Sequence, residues 1–197
     1  MDKNNHAGET EVKNAKKATC TADGYTGDTY CKDCGAKIAT GTKVAALGAP
    51  KKGVVAKSDK ATYKVTESDL KNGTVAYVGP LDKKATKVTI PATVEIDGVT
   101  FKVTSIEKNA FKNNKKVKTV TIGKNVSKIG AKAFYGCSKL KTLKIKTTKL
   151  TAKKIGSKAF SKTSKSMKVT VPKKKFKTYK TMLIKKGVNK KAKFKKG

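Results

Sequence analysis

Four residues near the start of the chain have the types and spacing to bind a metal ion. They form the pattern His6-x13-Cys20-x10-Cys31-x2-Cys34, and Gly35 follows the last cysteine. Two thiolates two residues apart bind one ion, and a small residue behind them lets backbone N–H groups turn toward the sulfurs. Cys20 and His6 supply the two further ligands of a tetrahedral site. Because a Cys3His set leaves no position for water, the pattern predicts a structural zinc ion.

A disulfide is the competing interpretation of the same cysteines. An oxidising extracellular setting favours a bond from Cys20 to Cys31 or to Cys34, which leaves one thiol over. A redox role is disfavoured because no βαβ pattern surrounds the Cys-x-x-Cys motif. Cys137 stands apart in the segment FYGCSKL, where we expect a small buried side chain at a turn.

The charge of the chain is large and unevenly distributed. Its 197 residues carry 48 lysines, no Arg and 13 acidic residues, a net charge of +35. Every acidic residue lies at or before Glu107, whereas residues 108–197 hold 31 of the lysines. Three interpretations stay open: a solvated surface that keeps the protein soluble, non-specific attraction to polyanions, and a nucleic-acid function. The missing Arg disfavours specific nucleic-acid recognition, because its planar fork is what reads guanine edges.

Groups that could carry catalysis are scarce. The chain has one His, no carboxylate side chain after Glu107, and no G-x-S-x-G, H-E-x-x-H or phosphate-binding glycine motif. We therefore expect a protein that is not an enzyme. No apolar run approaches the roughly 18 residues of a membrane span. Met1 is followed by DKNNHAGETE, which lacks the apolar run of a signal peptide, so a secreted parent protein would be represented by a mature form or a fragment.

Residues 103–174 repeat themselves. At a spacing of 23 the first two copies share six apolar positions, which are Ile106/Ile129, Ala110/Ala133, Phe111/Phe134, Val117/Leu140, Val120/Leu143 and Ile122/Ile145. A third copy follows after a three-residue insertion, and its matching residues are Ile155, Ala159, Phe160, Val169 and Val171, with Met167 one place off. A unit this short cannot enclose its own apolar side chains, so the copies must stack and share one core. The sequence therefore predicts a repeat solenoid.

Inside each repeat, an alternating segment predicts a short strand. Val120 and Ile122 point inward, and they pair in parallel with Leu143 and Ile145 of the next coil, about 4.8 Å away. The phenylalanines of the Ala-Phe pairs fill the middle of the solenoid, and the alanines allow close backbone approach.

Composition divides the chain into five segments. They are a small Cys/His module at residues 1–48, a linker at 49–53, a β-rich N-terminal cap at 54–102, repeats at 103–172, and a C-terminal capping helix with a tail at 173–197. In the cap, TYKVT and TVAYVG alternate like strands, and Asp97-Gly98 predicts a hairpin turn. After Pro172, one helix face is formed by Phe176, Tyr179, Met182 and Leu183, and Gly187 ends the helix.

The string V-x-x-I-x-x-x-A-F, with V/L and V/L-x-I further on and the segment FYGCSKL, resembles the BspA-like leucine-rich repeat of bacterial surface proteins. The resemblance covers about residues 85–197, and its implied fold is a solenoid with a short parallel β-sheet and short helices or turns. It implies a secreted or cell-surface location and adhesion to host or matrix components. The Cys segment is in turn similar to short zinc-ribbon-like Cys/His modules that accompany repeats in secreted bacterial proteins.

The outward positions of the predicted sheet are the candidate ligand-binding residues. They are Lys118, Thr119, Thr121, Lys141, Thr142, Lys144 and Thr170. Their simpler interpretation is a solvent-facing surface without a ligand. Two functions remain: adhesion to a host or matrix protein or glycan, and a structural or wall-associating spacer held to anionic cell-wall polymer by its lysines. For either function we expect a monomer.

Overall fold

The computed structural model describes residues 8–58 and 60–197. Close contacts divide the chain into two compact units. One comprises Met1–Pro50 with Asp97–Val99, and the other comprises Lys51–Ile96 with Thr100–Gly197. No described helix combines the length and the apolar character that a membrane crossing requires.

From residue 8 onward, the N-terminal unit contains two small antiparallel sheets. Its strands are β1 (Thr10–Lys13), β2 (Gly24–Tyr25), β3 (Asp28–Cys31), β4 (Lys37–Ala39) and β5 (Lys43–Val44). One sheet has the order β1-β3-β4, and β2 pairs with β5 in the other. Few of the described side chains of this unit are buried, among them Ala18, Cys20 and Cys31. Because this apolar core is so small, polar contacts carry a larger share of the stability of the unit than they do in a larger domain.

The described residues of the second unit form two larger sheets and one α-helix. Its elements are β6 (Val55–Ser58), β7 (Ala61–Glu67), β8 (Thr74–Pro80), β9 (Lys87–Ile90), β10 (Thr93–Ile96), β11 (Val99–Ile106), β12 (Thr119–Ile122), β13 (Lys128–Ile129), β14 (Thr142–Ile145), β15 (Lys168–Val171), α1 (Phe176–Lys185) and β16 (Lys193–Lys196). The capping sheet has the order β10-β11-β8-β7-β6, with β13 paired to β11. The repeat sheet has the order β16-β15-β14-β12-β9.

The strands and the hairpin predicted for the capping region are confirmed. TYKVT lies in β7, TVAYVG lies in β8, and β10 and β11 are neighbours on either side of Asp97-Gly98. Asp97 has a φ of 50° and Gly98 a φ of 77°, which is the pair of positive angles that a two-residue hairpin turn requires.

The repeat sheet is parallel throughout, with the register that the sequence predicts. Val120 lies opposite Leu143, and Leu143 lies opposite Val169. All three are fully buried, so one face of the sheet closes the solenoid core. The sheet extends beyond the three recognised copies at both ends, because β9 pairs with β12 and β16 pairs with β15.

A column of stacked aromatic rings runs through the solenoid. Phe111 and Phe134 have centroids 5.0 Å apart, and Phe134 and Phe160 are 5.2 Å apart, with interplanar angles of 13° and 5°. This confirms that the three phenylalanines occupy equivalent rungs. Tyr77 of β8 adds a fourth ring, 5.5 Å from Phe111 and tilted by 10°.

Backbone hydrogen bonds join each Ala-Phe turn to the next coil. The N–H of Phe111 donates to the carbonyl of Ala133 at 2.7 Å, and the N–H of Phe134 donates to that of Ala159 at 2.8 Å. The coils approach closely at Gly130, where a Cβ would lie 2.4 Å from the backbone nitrogen of Lys108. A side chain at that glycine would therefore force the first two coils apart.

Helix α1 presents the predicted apolar side chains to the core, with Tyr179, Met182 and Leu183 buried. Immediately after it, the carbonyl of Lys186 accepts the N–H of Phe160 at 3.0 Å. In the earlier coils this partner is the alanine of the following repeat. The end of α1 therefore replaces the missing next coil, which is how a solenoid terminus is capped.

Candidate functional sites

Five of the seven predicted binding residues lie on the outward face of the repeat sheet. Thr119 and Thr121 are on β12, Thr142 and Lys144 on β14, and Thr170 on β15. Lys118 and Lys141 come directly before β12 and β14, where the N–H of Lys141 donates to the carbonyl of Lys118 at 2.9 Å. The inward residues of the strands are buried, so strand alternation holds the five side chains that lie on strands on the solvent side. Lys118 and Lys141 are exposed, but they lie two residues before the inward-facing Val120 and Leu143, so strand alternation does not place them on this face.

Strand register arranges this surface in two straight rows, which together we call the sheet face. The first row reads Lys87, Thr119, Thr142, Lys168 and Lys193, and the second reads Thr89, Thr121, Lys144, Thr170 and Lys195. Neighbours within a row are about 4.8 Å apart, and the rows are separated by about 6.6 Å along the strands. The sheet face can therefore offer hydroxyl and ammonium donors at a regular spacing to an extended partner.

Five residues of the sheet face were not predicted from the sequence: Lys87, Thr89, Lys168, Lys193 and Lys195. Lys87, Thr89 and Lys168 lie on strands that the sequence pattern could have identified. KVTI in β9 and KVTV in β15 alternate polar and apolar residues in the same way as TVTI in β12. The last strand, KFKK in β16, is too rich in lysine to be recognised as a repeat strand.

The charge of the sheet face is not neutralised by neighbouring groups. The ion pairs among the described residues join Lys13–Glu11, Lys32–Glu9, Lys37–Asp28, Lys43–Asp23 and Lys52–Glu67. Each of them precedes residue 68, and the sequence has no acidic side chain after Glu107. The lysines of the repeats are therefore available to an external anion.

Backbone N–H groups in the Cys31–Cys34 turn are directed at the sulfur of Cys31. The backbone N–H groups of Cys34 and Asp33 donate to the Cys31 thiol and lower its pKa. Gly35 has a φ of 72°, and its N–H donates to the carbonyl of Cys31 at 3.0 Å. Donors directed at a sulfur stabilise the thiolate, which is the form that binds metal.

The other two proposed ligands are not joined to this turn within the described residues. Among residues 8–58 and 60–197, no three His, Cys, Asp or Glu side chains are grouped to hold a metal ion. Cys20 is buried, and His6 lies outside the described residues. Gly8 lies against the carboxylate of Asp33, which is in the Cys31–Cys34 turn. Cys20, Cys31, Cys34 and Cys137 form no disulfide in the structure.

Cys137 is a core residue, as predicted. Its side chain is fully buried, and its Sγ donates to the carbonyl of Phe111 at 3.0 Å. Burial raises the pKa of this thiol to about 12, so it stays protonated and unreactive at neutral pH.

Comparison with solved structures finds leucine-rich repeat proteins from bacteria. A leucine rich cell surface protein of Faecalibacterium prausnitzii is 23% identical, with 62% of this chain and 38% of that chain covered and a TM-score of 0.49. A leucine-rich repeat protein of Bacteroides ovatus is 26% identical over 59% of this chain and 35% of that one, with a TM-score of 0.45. One from Bacteroides capillosus is 21% identical over 72% and 98%, with a TM-score of 0.49. The chain thus spans well under two thirds of the first two proteins.

No curated protein matches the sequence. The sequence model of one family, described as "BspA type Leucine rich repeat region", matches residues 83–191 in six copies. The matched region contains β9 through β15 and α1, which are the stacked strands and the terminal cap described above. The chain therefore belongs to the BspA-type leucine-rich repeat family.

Proposed function

We propose that this protein is a non-enzymatic module, located on the bacterial cell surface or secreted, that binds a host or matrix protein or glycan through its sheet face. The observation that carries the proposal is the pair of straight Thr/Lys rows across five parallel strands. The stacked phenylalanines lie in the core beneath the strands, so the backbone positions of the two rows are held by packed structure before a partner binds. Family membership supports the surface location.

Because a narrow face of this kind offers limited area, we expect weak binding by one monomeric copy and stronger binding by several copies together. The test uses immobilised fibronectin, collagen and mucin, with the variant Lys144→Glu/Lys168→Glu. A control variant, Lys139→Glu/Lys165→Glu, makes the same charge change at exposed positions outside the sheet face. Loss of binding in the first variant alone supports the sheet face, and equal binding by both variants and wild type contradicts it.

A second candidate function is a structural or wall-associating spacer held to anionic cell-wall polymer. It is favoured by the lysines of residues 108–197, which have no acidic neighbour in their own part of the sequence. Attraction of this kind weakens as salt rises from about 0.1 M to 1 M, because the Debye length falls from about 10 Å to 3 Å. If both charge variants bind lipoteichoic acid equally well, and if salt releases the polymer from both, the result would favour the spacer function. We expect no specific nucleic-acid binding from lysines alone.

For the N-terminal unit we propose one structural zinc ion, held by Cys31 and Cys34 with Cys20 and His6 as the further ligands. The N–H groups directed at Cys31 support a thiolate ligand there. Zinc measured by mass spectrometry on the full chain should approach one ion per molecule and fall sharply in Cys34→Ser. Cys137→Ser, which alters a buried core thiol, is the control and should keep its zinc. Zinc that is absent from the wild type, or unchanged in Cys34→Ser, would exclude the site.

A further inference from the structure

A lysine-rich groove lies where the capping sheet meets the first repeat turn. It has a volume of about 690 Å³ and is lined by the end of β8, the loop after it, Thr62 and the segment Asn109–Lys116. The groove shares no residue with the sheet face. Its polar lining residues are Thr62, Lys83, Asn109, Lys112, Asn113, Asn114, Lys115 and Lys116.

Hydrogen bonds hold the walls of the groove in place. The Oδ1 of Asn114 accepts the N–H groups of Lys116 and Val117 at 2.9 and 3.0 Å, and its Nδ2 donates to the carbonyl of Lys83 at 3.4 Å. This one amide therefore ties the two lysine-bearing loops together. The N–H of Asn113 donates to the carbonyl of Tyr135 at 2.7 Å, which anchors the segment to the second coil.

The floor of the groove is rigid as well. Phe111 is 2% exposed and belongs to the aromatic column. Gly79 of β8 approaches the first turn so closely that a Cβ there would lie 3.3 Å from the carbonyl oxygen of Ala110. The groove is thus largely formed before any ligand arrives.

The charge of the groove has one sign. Its lining includes four lysines, all exposed, and no acidic side chain. The carboxylate that is closest in sequence, Asp82, accepts the N–H of Lys84 at 2.7 Å within its own turn. The side chains of Asn109 and Asn113 are exposed at the groove, so their amides are accessible to a ligand.

We propose that this groove binds a sugar unit that carries a carboxylate or sulfate group. The volume suits a mono- or disaccharide, since ligand pockets commonly measure about 300–1,000 Å³. The amides of Asn109 and Asn113 and the hydroxyl of Thr62 match sugar hydroxyl groups, which both donate and accept hydrogen bonds. The ammonium groups of Lys83, Lys112, Lys115 and Lys116 match the anionic substituent. Lysine suits an anion presented at several angles, because its charge is compact and its stem is flexible.

The corresponding turns of the later coils lack this combination. At the positions of Lys112, Asn113 and Asn114 the second coil has Tyr135, Gly136 and Cys137. The third coil has Ser161, Lys162 and Thr163 there. The groove is therefore a feature of the first coil and its junction with the cap, and it is not a general property of the repeat.

The test measures binding of a heparin disaccharide, its desulfated form and neutral lactose to the full chain by isothermal titration calorimetry. The variant is Lys112→Gln/Lys115→Gln/Lys116→Gln, and the control is Lys139→Gln/Lys153→Gln/Lys165→Gln, which removes the same charge from exposed positions elsewhere in the repeats. We expect the wild type to bind the heparin disaccharide, the groove variant to lose at least tenfold in affinity, and the control to change less than twofold.

The remaining outcomes are equally decisive. Binding of the desulfated form assigns the recognition to the carboxylate, and its loss assigns recognition to the sulfate. Equal weakening in both variants would mean that the general positive field binds the probe, and the proposal would be overturned. Absence of binding by the wild type, or lactose bound as well as the charged probe, would overturn it too. None of these results bears on the sheet face, which is tested by its own variants.

Discussion

The ring of Tyr77 in the capping sheet stacks on the ring of Phe111 in the first repeat, with centroids 5.5 Å apart and planes 10° from parallel. Tyr63 meets the other side of Tyr77 edge-on at 5.6 Å. The aromatic column of the solenoid therefore begins in the cap. The rings of the capping sheet therefore continue the packing of the first coil and cover that end of its aromatic core.

Replacing Tyr77 by Phe should stabilise the protein. The Tyr77 hydroxyl is the one buried side-chain polar atom that lacks a hydrogen-bond partner among the described residues. An unsatisfied buried group costs about 1–3 kcal/mol, and Phe keeps the ring while removing that group. Thermal unfolding of Tyr77→Phe should show a higher Tm than wild type. A lower Tm would mean that the hydroxyl has a partner, such as an ordered water.

The same substitution at Tyr179 should have the opposite effect. The Tyr179 hydroxyl accepts the N–H of Leu150 at 3.0 Å in a buried setting, which ties α1 to the loop after β14. Tyr179→Phe leaves that N–H without an acceptor and should lower the free energy of unfolding by about 1–3 kcal/mol. Urea unfolding measures the free energy of unfolding of Tyr77→Phe and Tyr179→Phe. If both variants change that free energy in the same direction, the hydrogen-bonding states given for the two hydroxyls are wrong.

Replacing Phe134 by Ala should disrupt the repeats. Phe134 is fully buried between Phe111 and Phe160, so the change removes two ring contacts and leaves a cavity. Such substitutions cost about 3–5 kcal/mol. Phe176→Ala is the control, because Phe176 is only partly buried and should cost less. Circular dichroism during urea titration measures both, and similar midpoints would argue against a shared aromatic core.

The parts of the fold that the sequence predicts are those with a periodic signal. The spacing of 23 between Phe111 and Phe134 predicts equivalent rungs, and the alternation around Val120 predicts the strand register. The rungs and the register are both predictable because the same positions are buried in every repeat and are therefore apolar in every repeat. The hairpin at Asp97-Gly98 is predictable because its turn needs specific residue types.

The parts that the sequence does not predict depend on single contacts without a repeated pattern. Tyr77 joins the aromatic column from a strand whose sequence, TVAYVGP, has no resemblance to the repeat. The carbonyl of Lys186 caps Phe160 through the backbone, so no residue type signals it. The groove at Asn109–Lys116 depends on Lys83, which is distant in sequence and reaches it only through the fold. Adhesion through the sheet face and the zinc site stay predictions.

Lys158→Asn should stabilise the third coil. Lys158 has a φ of 53°, and the equivalent residue of the first coil is Asn109 with a φ of 63°. The left-handed region costs ordinary residues about 1–2 kcal/mol, and Asn tolerates it better. We expect a gain of up to about 1 kcal/mol in chemical denaturation. Lys165→Asn loses the same charge at an exposed position without positive φ and should change little. A gain of equal size there would point to charge relief instead.

The N-terminal unit should lose stability in acid because of Asp28. Hydrogen bonds from the Tyr25 hydroxyl, the Lys37 ammonium at 2.9 Å and the Gly41 N–H at 3.0 Å lower the pKa of Asp28 to about 2. Since the folded pKa lies below the ordinary value of 3.8, the stabilisation is complete above about pH 4 and is lost as pH falls through 2. Asp23 in the same unit also has a lowered pKa, because its side chain accepts a hydrogen bond from Lys43. Protonation of Asp23 therefore contributes to the same loss of stability in acid.

The variant Asp28→Asn distinguishes the contribution of Asp28 to acid stability from that of Asp23. In this variant the amide replaces the carboxylate that three donors share, so the unit should be less stable at pH 7 and show a weaker dependence on pH between 4 and about 2. NMR spectra of the full chain, followed through the amide of Gly41, report the change residue by residue. Asp23→Asn is the matched control and should leave the titration at Gly41 in place. An Asp28 carboxyl that titrates near 4 in the wild type would show that the three donors do not hold it ionised.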